Sequence, residues 1–266
     1  NKMINFKAKS LKLDILNEFT VEDKNSTRGK NIILFLNSTF KTKYDVKEKL
    51  IRFTSDNSKY NSSKIDYTGT LSINPFDLDL NIDLGNYKIS KLFSFNSFFK
   101  ELIKSEMFFN DNLSLDASIL ANTNSRDEIF QSAEINLSFI NGKINLNETI
   151  FTNKKIGFLT LDNSDLFLKD NILILNTDLS ITINDSERLF STLNTKKSSR
   201  KQIKNIFINL DFNFLNGHIK FNKIKINNNE VNDQFLNLLD EFNDGSSNNL
   251  VKSRLLINRL LEAYDG

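Results

Sequence analysis

Apolar and polar residues alternate one by one along much of this chain. Ile65, Tyr67, Leu71 and Ile73 are separated by Asp66, Thr68, Thr70 and Ser72. Beyond Asn74-Pro75, Phe76, Leu78, Leu80, Ile82 and Leu84 alternate with Asp77, Asp79, Asn81 and Asp83. The rhythm returns at Leu113, Leu115, Ala117 and Ile119, at Ile135, Leu137 and Phe139, and at Ile206, Ile208, Leu210, Phe212 and Phe214. Successive strand side chains point to opposite faces, so each segment predicts a strand with one apolar and one wet face. Asn141-Gly142 and Asn216-Gly217 supply the positive φ angles of tight antiparallel hairpins, and Asp170-Asn171 predicts a third turn. Nearer the start, Leu11, Leu13 and Ile15 and then Ile32, Leu34, Leu36 and Phe40 suggest strands. Parity is lost near Ala8–Ser10, and Ser55–Ser63 reads as loop.

Helical spacing appears in four places. Lys91–Met107 carries Leu92, Phe95, Phe99, Leu102 and Ile103 on one face, with Phe93, Phe98, Phe108 and Phe109 in or beside it. Asp185–Leu193 is short, with Asn184 placed as N-cap and Glu187 three residues on. Glu230–Phe242 and Asn249–Tyr264 follow, separated by Gly245-Ser246-Ser247. Each large apolar side chain left in water forgoes about 1.5–3 kcal/mol. The helices make up about a quarter of the chain, too little to blanket a long flat sheet. The expected fold is therefore mainly β (α+β). A long antiparallel meander curls into a U-shaped trough or open barrel, a mid-chain helix interrupts it, and C-terminal helices cap an end. Residues 1–266 are read as one elongated domain. It has N-terminal strands over 1–88, an amphipathic helix over 89–109, a strand meander over 110–229 with a short helix near 185–194, and a helical cap over 230–266.

Composition narrows the chemistry. The 266 residues include 35 Lys+Arg and 33 Asp+Glu, one His, no Cys and no Trp. Near-balanced charge gives no reason to expect a nucleic-acid partner. Without Cys there is no disulfide, thiolate metal site or Cys nucleophile, and one His cannot make a two-His metal site. Asn, Lys, Ile and Phe are all frequent and share A/T-rich codons, so the Asn excess reads as drift on solvated positions. No run of 18 apolar residues is present.

Candidate motifs are thin. Asp77-x-Asp79-x-Asn81-x-Asp83 has the opening spacing of a calcium loop, but Ile82 stands at the required glycine and Lys88 at the closing glutamate. Strand alternation accounts for these carboxylates as a wet face. Ser97-Phe98-Phe99-Lys100 and Ser55-Asp56-Asn57 mimic a penicillin-recognising set in reversed order, with no Lys-Thr-Gly. His218 opens a strand after a turn and reads as a solvated turn residue. Lys196, Lys197, Arg200, Lys201 and Lys204 form a basic cluster: a solvated loop, or a contact for anionic headgroups worth about 1 kcal/mol per basic residue. The 24 Phe residues do not interleave with it as a stacking platform.

The hairpin Phe139-Ile140-Asn141-Gly142-Lys143-Ile144-Asn145-Leu146-Asn147 resembles those of AsmA-like envelope proteins. Ile156–Ser164 and Ile172–Leu179 are similar to the short-strand ladder of the same family. Ile206–Phe214, Asn216-Gly217, Phe221–Ile226 and the helices ending at Leu260-Leu261-Glu262-Ala263-Tyr264 resemble the C-terminal region of AsmA-like proteins from AT-rich marine alphaproteobacteria. The resemblance covers about residues 65–266 and brings no catalytic motif. It implies a periplasmic fragment of a longer protein anchored to the inner membrane by an upstream helix. It implies a role in outer-membrane biogenesis, with phospholipid or another acyl-chain lipid as cargo and other envelope proteins as partners. It implies neither enzyme activity nor a cofactor or metal.

On that reading the groove is lined by Ile65, Tyr67, Leu71, Ile73, Phe76, Leu78, Leu80, Ile82, Leu113, Leu115, Ile135, Leu137, Phe139, Ile144, Leu146, Ile206, Ile208, Leu210, Phe212 and Phe214. A scaffold with a self-filled core needs the same amphipathic strands and stands as the alternative. A hydrolase acting on an envelope polymer ranks last, because the carboxylates fall on wet faces or in loops.

Overall fold

The alternating segments form strands, and strands also form before residue 60, where the alternation is broken. The computed structural model describes residues 2–61, 63–92, 109, 113–125, 128–170, 172–214, 217–239 and 250–264. The protein is mainly β, with 17 strands and three α-helices among the described residues. It divides into two compact units, Asn1–Gly142 and Lys143–Gly266.

The first unit holds β1 (Lys2–Ala8), β2 (Leu13–Asp23), β3 (Ser26–Phe35), β4 (Ser38–Lys47), β5 (Leu50–Ser55), β6 (Ser58–Tyr60), β7 (Ser63–Ile73), β8 (Phe76–Leu84), β9 (Ser114–Asn122) and β10 (Ser132–Ile140). Each pairs with the next antiparallel except at two places. β5 and β6 share one position, both lying between β4 and β7. β8 and β9 run parallel, in register from Asp77↔Ser114 to Leu84↔Ala121. The meander is therefore not antiparallel throughout. A parallel neighbour needs a crossover longer than any tight turn, and residues 85–113 supply it. The expected helix Lys91–Met107, with its aromatic residues, falls almost wholly outside the described residues; at its start Ile89–Leu92 form a 3₁₀ turn. Lys9–Leu11 form another 3₁₀ turn between β1 and β2, which explains the lost parity there. The stretch expected as loop at Ser55–Ser63 contains β6. Ser58 holds it in place: its hydroxyl accepts from Lys41 N–H (2.8 Å) and donates to Lys41 C=O (2.9 Å).

The second unit holds β11 (Lys143–Asn145), β12 (Thr149–Asn153), β13 (Gly157–Lys169), β14 (Ile172–Ile183), β15 (Asn205–Asn213), β16 (His218–Ile226) and β17 (Asn229–Glu230). Its helices are α1 (Ser186–Leu193), α2 (Asp233–Leu239) and α3 (Leu250–Ala263). All three pack on one end of the sheet. Phe190 of α1, Phe235 and Leu239 of α2, and Leu260, Leu261 and Tyr264 at the end of α3 bury against Ile183, Ile203, Ile224 and Ile226. The N-cap of α1 is Asp185, not Asn184: its carboxylate accepts from Arg188 N–H at 2.8 Å. Glu187 then lies one position too early for a capping box, and it pairs with Arg200 at 2.8 Å instead.

The Asn excess has two structural uses. Asn57, Asn61, Asn86, Asn141, Asn163, Asn194, Asn227 and Asn228 all adopt positive φ, in a chain with only eight Gly. Asn tolerates that region better than other non-glycine residues. On the wet face of the second unit, Asn side chains separate carboxylates. Asn163 and Asn209 donate to Asp178, and Asn176 and Asn222 donate to Asp211.

Candidate functional site

Register sorts the side chains of the first unit into rows, because residues paired across a ladder point to the same face. One row runs Val21, Thr27, Val46, Ile51, Leu71, Leu78, Leu115 and Phe139. The next runs Phe19, Gly29, Tyr44, Phe53, Gly69, Leu80, Ala117 and Leu137. A third joins Asn17, Asn31, Thr42 and Ser55 and, further on, Tyr67, Ile82, Ile119 and Ile135. A fourth includes Ile15, Ile33 and Phe40 on one side and Ile65, Leu84, Ala121 and Ala133 on the other. The opposite face is charged across every strand: Thr20, Arg28, Asp45, Arg52, Thr70, Asp79 and Asp116 share one of its rows.

The structure thus brings Ile65, Tyr67, Leu71, Ile73, Phe76, Leu78, Leu80, Ile82, Leu115, Ile135, Leu137 and Phe139 to one apolar face. Leu113 precedes β9 at the same parity. The face has two unlike ends. At the fourth row Ile65 and Leu84 are buried, with Tyr87 and Ile89 buried just beyond β8. The Tyr87 ring lies 5.9 Å from that of Tyr60. Burial and the Tyr60 neighbour raise the Tyr87 phenol above its ordinary value of 10.0. At the other end Val21, Ile73 and Phe76 are exposed by 53%, 61% and 40%, so this end opens to solvent.

Two glycines shape the second row. A Cβ on Gly29 would stand 2.4 Å from the Tyr44 ring, and one on Gly69 would stand 2.6 Å from the Phe53 ring. Each aromatic ring occupies the space that a side chain on the neighbouring strand's glycine would need. Tyr44 reaches over Gly29 to donate to Asn17 Oδ1 at 2.9 Å. Thr42 and Tyr67 share a hydrogen bond of 2.7 Å. The third row is therefore a polar belt across β2–β7, flanked by apolar rows. Alternation alone does not reveal this belt. The signal that could have found it is glycine opposite an aromatic residue in neighbouring strands.

A cleft of about 690 Å³ crosses β2–β5 in the first unit. Its lining joins Phe19, Gly29, Tyr44 and Phe53 of the second row to Glu18, Glu22, Arg28, Lys30, Lys43, Asp45 and Arg52 at the parity of the charged face. Arg28 is bound there by Asp45 at 2.7 Å and Glu22 at 3.5 Å, and Asp45 holds its guanidinium above the usual range.

In the second unit Ile144, Ile206, Ile208, Leu210 and Phe212 also share a face, paired in register through β13 and β14 with Leu166, Ile181, Leu179, Thr177 and Leu175. Ile206 and Ile208 pack on the helix-covered core. Leu146 follows β11, and Phe214 follows β15 with its ring edge-on to Phe212 at 4.5 Å. The basic cluster is largely engaged. Arg200 bonds Glu187 (2.8 Å) and Thr195 C=O (3.2 Å), and Lys196 pairs with Glu262 at 3.4 Å. Lys201 donates to Tyr264 C=O and lies 5.7 Å from its ring centre. Lys197 and Lys204 are exposed. The cluster clasps the loop before β15 to α1 and α3.

The motif residues occupy structural positions. Asp77 accepts from the Ser114 hydroxyl (2.7 Å) and Asp79 from Asn81 (3.2 Å), both on the charged face. Ser55 accepts from Tyr67 N–H at 3.0 Å beside the β5–β6 break. Ser97–Lys100 lie outside the described residues. Among the described residues no three His, Asp or Glu side chains gather as a metal cluster, and no helix is long and apolar enough to cross a membrane. A scan against protein-family models, a search of curated proteins and a search of solved structures each return no match.

Proposed function

We propose that this chain is part of a non-enzymatic, AsmA-like envelope protein that shields or conducts phospholipid acyl chains along a trough-like sheet. The apolar face of the first unit is the working surface. One observation carries this reading: ordered apolar rows run from an exposed end at Ile73 and Phe76 to a closed end at Tyr87 and Ile89. Among the described residues the helical core involves strands of the second unit only. Burying an acyl chain on such a face gains about 0.8 kcal/mol per methylene. The charged face opposite keeps the sheet wetted on its other side. Periplasmic placement and a role in outer-membrane biogenesis belong to the same proposal.

The helix-covered core of the second unit favours a second reading, a self-filled scaffold that docks envelope proteins. Native mass spectrometry with lipid extraction separates the two. Co-purifying phospholipid that is lost in Leu78→Asp and Leu80→Asp supports the acyl-chain face. A folded, monodisperse and lipid-free chain supports the scaffold.

A further inference from the structure

One corner of the first unit gathers apolar side chains in contact with water. Ile4 and Phe6 of β1 are exposed by 57% and 54%, and Leu34 and Leu36 at the β3–β4 turn by 43% and 56%. Register draws them together: Phe6 pairs with Ile15, and Lys7 and Leu34 both pair with Asp14. The turn after β1 meets the turn after β3. Lys12 N–H donates to Lys9 C=O at 3.2 Å, and Leu36 N–H donates to Lys12 C=O at 3.3 Å. Leu36 holds φ at +51°, in the left-handed region that a bulky residue rarely adopts. Among the described residues it is the one apolar side chain at such a position, and most of the others are Asn. The charges nearby are one-sided. Lys7 is matched by Asp14 at 3.0 Å, while Lys9 and Lys12 are exposed and meet no carboxylate among the described residues.

The placement of these residues selects the partner. Ile4 and Phe6 have the parity of the apolar face, Leu34 that of the charged face, and Leu36 lies in the turn at the tip. A flat protein surface covers one side of a sheet, whereas a fluid interface surrounds a corner on both sides and at its tip. We propose that this corner dips into the headgroup layer of an anionic membrane. Ile4, Phe6, Leu34 and Leu36 meet the acyl boundary, and Lys9 and Lys12 meet lipid phosphates. The immersion is shallow, because strand backbone groups need the water that hydrocarbon lacks. This contact goes beyond the acyl-face reading and does not depend on it.

The chain has no Trp, so Leu36→Trp and Phe6→Trp each place a single reporter in the full chain. The probes are vesicles of phosphatidylcholine alone and vesicles in which about a third of the lipid is phosphatidylglycerol. Both reporters are expected to shift to the blue on the anionic vesicles. Leu255→Trp, at a position 57% exposed in the second unit, is the control and is expected not to shift. In cosedimentation the wild-type chain is expected to bind the anionic vesicles about tenfold tighter, a preference that Lys9→Gln with Lys12→Gln removes. Leu36→Asn suits the left-handed backbone, so it is expected to keep the fold while weakening vesicle binding about fivefold. Equal binding of the wild-type chain to both vesicles overturns the proposal, and so does a shift confined to Leu255→Trp. Absence of binding also overturns it; if the chain then self-associates and Phe6→Asp dissolves the assembly, the corner belongs to a second copy.

Discussion

The two units are built from the same kind of strand but dispose of their apolar residues differently. In the second, Phe190, Ile203 and Ile226 are almost wholly buried because three helices close over the end of the sheet. In the first, Leu71, Leu78, Leu80 and Ile82 remain half-buried, and full burial is reached near Tyr87 and Ile89 and at Phe139 on β10. Amphipathic alternation specifies a face, and the elements packed on that face decide whether it becomes core or surface. Ile206 and Ile82 look alike in sequence; one belongs to a core and the other to a half-open row.

The largest expected effect tests that difference. Leu210→Asp places a charge at a site only 8% exposed and is expected to cost about 4 kcal/mol or to unfold the chain. Leu78→Asp, at a half-buried site, is expected to cost about 1–2 kcal/mol and to keep the fold. Urea denaturation of both variants settles it, and equal losses would erase the contrast. Phe190→Ala is expected to cost about 3–4 kcal/mol by the same measurement, as truncation of a closed core should.

Smaller changes sharpen the comparison. Gly69→Ala is expected to cost about 1–3 kcal/mol, because its Cβ would stand 2.3 Å from Asp79 C=O and push against Phe53. Gly85→Ala, with nothing within 4 Å, serves as the tolerant control. Asp185→Ala removes the α1 cap and is expected to lower stability by about 1 kcal/mol in the second unit. The smallest effect is alkaline. The raised Tyr87 phenol contributes stability that is intact below its ordinary value of 10.0 and is lost as pH climbs through the raised one, because the unfolded chain ionises first. Thermal melts at pH 9 and 11.5 should show a smaller alkaline loss in Tyr87→Phe than in wild type.

Much of the strand order is legible where alternation is clean, from Ile65 onward. The first 60 residues resist reading because Asn17, Asn31, Thr42 and Ser55 occupy positions on the apolar face, so polarity no longer reports orientation. The parallel pairing of β8 with β9 is invisible to periodicity, which is the same for either direction. The cap of α1 is misread by one residue because Asn184 and Asp185 are both good caps and only geometry chooses between them. The basic cluster reads as a solvated loop or a headgroup contact because its partners Glu187, Glu262 and Tyr264 lie on either side of it in the chain, where spacing does not pair them with it.

The parallel seam also sets an order of assembly. From β2 to β8 each antiparallel pairing closes over a short link, so these ladders can zip in succession. Joining β9 to β8 brings together residues such as Asp77 and Ser114, 37 positions apart, and the entropy of closing that loop must be met before any seam contact rewards it. β9 and β10 are antiparallel neighbours with their own register, so they can form first as a hairpin and then dock as a pair. A slip of one residue at docking would turn Leu115, Ala117 and Ile119 to the charged side. The seam between β8 and β9 is therefore the pairing at which the first unit meets a large loop-closure cost, and its register decides which side of the sheet β9 and β10 turn to the apolar face.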